Sequence, residues 1–115
     1  MNNINFKTNW NKKLNCKCFT SIRLHNPQKC FISEVFAVIL NNRVIGYAKL
    51  RQVKTIGINE ITDYMAMLDT GYNAAKTREI IYQMYKHKAI NWKTQKLDYC
   101  LFEYENPQTE INLFL

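Results

Sequence analysis

A lysine, two hydroxyls and an arginine fall within the short run Lys17-Cys18-Phe19-Thr20-Ser21-Ile22-Arg23. A lone carboxylate stands far downstream, in Leu68-Asp69-Thr70-Gly71-Tyr72. Residues of these types can do two kinds of chemistry. Lysine, hydroxyl and arginine aligned along one side hold a phosphate or a polar base edge, with arginine offering a planar bidentate fork. Alternatively, a serine or threonine hydroxyl attacks an acyl carbonyl once a neighbour takes its proton. Lysine can be that neighbour only when neutral, which requires burial or nearby positive charge. Asp69 would then orient the lysine or carry a proton to the leaving amine.

The elements that must position these groups follow from periodicity. Phe6, Trp10 and Leu14 recur every four residues and predict a short N-terminal amphipathic helix. Residues 19–24 predict a strand, stopped by Asn26-Pro27. If it is extended, Thr20, Ile22 and Leu24 share the core face, while Ser21 and Arg23, with Lys17 and His25 beyond them, share the other. Residues 34–40 and 44–52 predict a hairpin turning at Asn41-Asn42-Arg43, its second strand continuing toward Ile56. Asn59 is placed to cap a helix over 60–68, and Asn73 a second over 74–86 whose buried stripe is Thr77, Ile81, Met84 and Tyr85. Gly71 suits a positive-φ turn between them, where Asp69 either anchors the turn or serves a site. Residues 97–105 predict the last strand.

Strands at both ends with a helical pair between them make an α+β domain. A small curled antiparallel sheet or barrel is the natural closure. Its expected packed residues include Phe36, Val38, Ile39, Val44, Ile81, Met84, Leu101 and Phe102. Tyr72 and Trp92 are either packing residues or platforms on which a base stacks.

A chain of 115 residues, 47% hydrophobic, fits a single domain over 1–115 with one core. No apolar run is long enough to span a bilayer and no signal peptide is visible, so a cytoplasmic protein without a membrane partner is expected. The four cysteines show no C-x-x-C pair, which favours reduced thiols over disulfides or zinc; no metal or cofactor is expected. The net charge of +7 is unevenly spread. Residues 1–59 hold ten Lys/Arg and one acid, Glu34; residues 60–115 hold six Lys/Arg and eight acids. A positive face including Lys17, Arg23, Lys49 and Arg51, able to bind the phosphates of RNA, is the expectation.

The stretch Lys17-x-x-Thr20 with Ser21-x-Arg23, entered from Phe6/Trp10/Leu14, resembles the G-x-K-x-x-T-x-R signature of ASCH domains, a PUA-like family. The hairpin EVFAVIL-NNRVIGYAKL and the order helix, acidic turn, helix, strand resemble the same family, over about residues 6–105. Two registers remain open: Ser21 and Arg23 match the end of the motif with Cys18 in the lysine position, or Lys17 and Thr20 match its middle. The resemblance implies a PUA-like barrel that binds RNA or a modified nucleoside. Some small ASCH proteins hydrolyse 4-acetylcytidine with a Lys/Thr/Glu triad. In this chain that implies Lys17, Ser21 (or Thr20) and Asp69 as catalytic residues, with Arg23, Lys49, Arg51 and Tyr72 as binding residues. A third class, a protein-binding factor in which the ligand cleft has decayed, stays open beside these two. The apolar tail over 106–115 either covers a sheet edge or packs on a second copy as a homodimer interface.

Overall fold

The structure is a computed structural model that describes residues 2–29 and 31–105. The proposed role of the tail therefore lies outside the described residues, as does Cys30. The fold is α+β: five strands form one curled, mixed half-barrel sheet in the order β1-β3-β4-β5-β2. These are β1 (Asn2–Phe6), β2 (Cys18–Leu24), β3 (Val35–Leu40), β4 (Arg43–Gly57) and β5 (Lys96–Tyr104). The helices α1 (Asp63–Thr70) and α2 (Ala74–Met84) lie between β4 and β5 in sequence.

The expected N-terminal helix is replaced by β1 and a 3₁₀ segment over Trp10–Asn15. Ile4 and Phe6 are buried while Asn3 and Asn5 are exposed, so this end of the chain alternates as a strand does. It pairs in parallel with β3, from Asn2 opposite Phe36 to Phe6 opposite Leu40. The sheet is consequently mixed rather than antiparallel throughout. The hairpin forms as its turn residues dictate: Asn41 and Asn42 both take positive φ, 51° and 68°, the conformation a tight two-residue hairpin requires. Two bulges on β4, at Ile45 and Arg51, leave one residue unpaired against β3 and β5 respectively. Bulges raise local twist and so help curl a sheet.

Two apolar clusters lie on opposite faces of β2. Phe19 belongs to the first, with Phe6, Leu14, Phe36, Val38, Leu50 and Phe102. Ile22 belongs to the second, with Ile56, Ile61, Ala66, Ile81 and Leu97. Phe36, Val38, Ile81 and Phe102 are buried as expected, and Ile39 is half-buried. Val44, Met84 and Leu101 are instead exposed. Val44 follows the hairpin turn, Met84 ends α2, and Leu101 alternates with the buried Cys100 and Phe102.

Thr62, not Asn59, caps α1: its Oγ1 accepts from the Met65 amide at 3.2 Å. Asn73 caps α2 as expected, accepting from the Lys76 amide at 2.9 Å. Gly71 closes α1 at φ 86°, and Asn11 packs so tightly on it that a side chain there would meet Asn11 at about 3.2 Å. That contact docks the 3₁₀ segment onto the α1–α2 turn.

Candidate functional site

β1 and β2 are the two edges of the sheet, and the half-barrel does not pair them. Phe6 at the end of β1 meets Phe19 of β2 edge-on at 5.9 Å. The polar groups collect in this seam, beneath the 3₁₀ segment and α1. Lys13 Nζ donates to Asp69 Oδ1 at 2.9 Å, and Thr20 Oγ1 donates to the same oxygen at 2.9 Å. The Lys13 and Asp69 side chains are 6% and 9% exposed. Three separate elements thus supply one lysine, one hydroxyl and one carboxylate.

Local structure explains how a lysine enters. Asn11 and Lys12 are consecutive residues with positive φ, 56° and 52°, which turns the backbone between two adjacent lysines. Lys12 is left exposed and Lys13 is turned inward. Asn9 braces the turn, accepting from the Leu14 amide at 2.9 Å and donating to Asn15 at 3.2 Å. From the sheet side, Tyr104 donates its hydroxyl to the Leu14 carbonyl at 2.9 Å. Asn11 completes the docking by donating to the Met67 carbonyl of α1 at 3.4 Å.

Burial lowers the Lys13 pKa; Asp69 opposes this and Arg23 adds to it. Arg23 donates from Nε to Ser21 Oγ at 2.7 Å and lies with its guanidinium carbon 4.6 Å from the centre of the Phe6 ring. Lys13 Nζ lies 5.3 Å from the same ring centre. Tyr99, in hydrogen-bonding reach of Thr20, has its pKa raised by burial and by the charge of Asp69.

Among the residues singled out from sequence, Thr20 and Asp69 meet, and Ser21 and Arg23 meet each other beside them. Lys17 does not join them. It is 65% exposed and faces Glu103 at 3.8 Å, so the lysine beside Asp69 is Lys13. The physical reason is the inward turn at Asn11–Lys12, after which Lys17 emerges just before β2 on the solvent side. Thr20 is buried on the same face of β2 as Ile22, as expected, with its hydroxyl on Asp69, while the opposite face is covered as well and buries Ser21. Tyr72 is half-exposed and touches Trp10 edge-on at 6.4 Å. Trp92 packs instead against Tyr82 and Tyr85. Lys49 and Arg51 pair with Glu105 at 3.1 Å and Glu103 at 3.2 Å.

Lys13 and Tyr99 carried no distinguishing sequence signal. Lys13 stands seven residues before Thr20, whereas the motif's Lys-x-x-Thr spacing is three. Tyr99 lies in the last strand, and only the β2–β5 register, with Tyr99 opposite Ile22 and Leu101 opposite Thr20, brings it near Thr20. Among the described residues no cluster of three or more His, Cys, Asp or Glu could hold a metal ion. No helix there is long and apolar enough to cross a membrane. No family model, curated protein or solved structure matches the chain.

Proposed function

We propose that this half-barrel is a PUA-like domain of the ASCH type and that it binds a modified nucleoside in the seam between β1 and β2. The observation that carries the reading is the convergence of Lys13 and Thr20 on one oxygen of Asp69 in a nearly closed, largely apolar setting. A buried ion pair is poor evidence for stability, since an apolar replacement often serves as well. Perturbed, desolvated titratable groups cluster instead at binding and catalytic sites. Trp10 and Tyr72 add aromatic surface at the same junction, of the kind on which a base stacks. The resemblance to ASCH domains supplies the nucleoside. A nucleoside-sized ligand is favoured over an RNA backbone because Lys17, Lys49 and Arg51 are each engaged by Glu103 or Glu105.

A second reading, hydrolysis of an acylated cytidine, is favoured by one specific observation: burial pushes Lys13 toward its neutral form beside the Thr20 hydroxyl. Thr20 Oγ would attack the acyl carbonyl while its proton passes to the Lys13–Asp69 pair. The amine would leave with that proton, and water would then hydrolyse the threonyl ester.

Calorimetric titration with cytidine and 4-acetylcytidine tests the binding. Saturable one-to-one binding is expected, weakened about ten-fold or more in Asp69→Asn. No binding, or binding indifferent to Asp69→Asn, would overturn it. Chromatography of the same mixtures tests hydrolysis: acetate and cytidine should accumulate with the wild type and not with Thr20→Ala.

A further inference from the structure

Burial disfavours the charge of Arg23, and Tyr85 and Asp69 favour it without closing an ion pair. The contacts of Arg23 with Ser21 and the Phe6 ring do not neutralise it, and among the described residues it forms no ion pair. The two nearby carboxylates serve other groups. Asp69 accepts from Lys13 and Thr20. Asp98, opposite Arg23 in the β2–β5 register, bonds His25 at 2.8 Å, the Asn26 amide at 3.1 Å and Thr55 at 3.1 Å. A guanidinium offers five N–H donors in a fixed fork, and among the described residues only Nε is engaged. Arg23 is half-buried, so solvent reaches part of that fork. Partly desolvated cations are ordinarily paired, and Lys13 adds a second positive charge on the same Phe6 ring.

We propose that the free edge of the Arg23 guanidinium is a subsite for an oxyanion, next to the Lys13–Asp69–Thr20 cluster. The ligand of the seam then carries a carboxylate or a phosphate. Such a group matches the fork with two parallel hydrogen bonds. The inference rests on the seam being a ligand site, though not on the ligand being a nucleoside.

The test titrates the full chain separately with acetate and inorganic phosphate at constant ionic strength, following the Arg23 Nε–H signal by NMR. A saturable shift is expected with at least one anion. Its affinity, read in the variants from the backbone amide signals of Ser21 and Ile22, should fall about ten-fold or more in Arg23→Gln and stay unchanged in Lys88→Gln, which removes a charge from an exposed position. Cytidine and cytidine 5′-monophosphate then separate the sources. Tighter binding of the nucleotide assigns the subsite to phosphate; equal binding with competition by acetate assigns it to carboxylate. An Nε–H signal unmoved by both anions overturns the subsite, and this readout needs no variant to fold. Cytidine binding without any anion response overturns the subsite alone. Failure of every probe overturns the ligand site as well.

Discussion

Lys13 and Lys17 stand four residues apart and end in opposite electrostatic settings. Lys13 lies inside the seam, 2.9 Å from Asp69, with its charge disfavoured by burial. Lys17 lies outside, at the end of a strip in which Lys17, Lys49 and Arg51 alternate with Glu103 and Glu105. The strip exists because β5 threads between β2 and β4. The acids of the second half of the chain are thereby set among the bases of the first. Charge segregated in sequence is thus remixed by sheet topology, and the cations with unusual chemistry are the ones the fold hides. Surface pairs contribute little, while a buried pair punishes the loss of either partner.

Removing the carboxylate should break this contrast most severely. Asp69→Ala leaves Lys13 buried without a counter-ion and takes away the acceptor of the Thr20 hydroxyl. A loss of about 3–5 kcal/mol in unfolding free energy is expected, read by urea denaturation at neutral pH. Asp69→Asn keeps an acceptor in place and should cost less. A loss below about 1 kcal/mol for Asp69→Ala would put the pair in the same class as a surface bridge.

Much of the fold was legible where local rules govern it. Asn41-Asn42 turns the hairpin, Asn73 caps α2, and Gly71 takes the left-handed turn, because each choice is settled within a few residues of backbone. β1 was not legible. Its alternating Asn3-Ile4-Asn5-Phe6 is a valid strand pattern, but Phe6, Trp10 and Leu14 overlay it with a competing period of four. Only parallel pairing with β3, some thirty residues away, selects the strand. The site was half legible for the same reason. Asp69 and the Thr20-Ser21-x-Arg23 run stand out by type, whereas Lys13 and Lys17 differ only in which way two left-handed residues aim the chain.

Titration sharpens the comparison next. The folded pKa of Lys13 lies below its ordinary 10.5, so between those two values the unfolded chain holds more protons than the folded one. Stability from this group therefore rises with pH across that window and levels off above 10.5. Tyr99 and Tyr104, raised by burial above their ordinary 10.0, act in the opposite sense and lower stability as pH climbs past 10.0. Subtracting the unfolding free energies of Lys13→Met from those of the wild type between about pH 7 and 11 isolates the lysine. The difference should tilt in favour of the wild type as pH rises. A flat difference would mean that Lys13 is not desolvated.

The smallest expected effect lies on the outer strip. Three cations facing two carboxylates leave about one net charge there, so any RNA bound along it should release few counter-ions. With roughly 0.7 per neutralised phosphate on a single strand, the log–log salt slope should be near −1 or shallower, not the value near −3 that four free cations would produce. Glu103 accepts both Lys17 and Arg51. Glu103→Gln should therefore strengthen RNA binding and steepen the slope, while changing folding stability by no more than about 1 kcal/mol. Titrations of a short single-stranded RNA at several salt concentrations measure both. A slope near −3 already in the wild type would show that Glu103 and Glu105 fail to mask the strip. The contrast between an open outer face and a hidden inner one would then lose its electrostatic basis, even with Lys13 and Asp69 where they are.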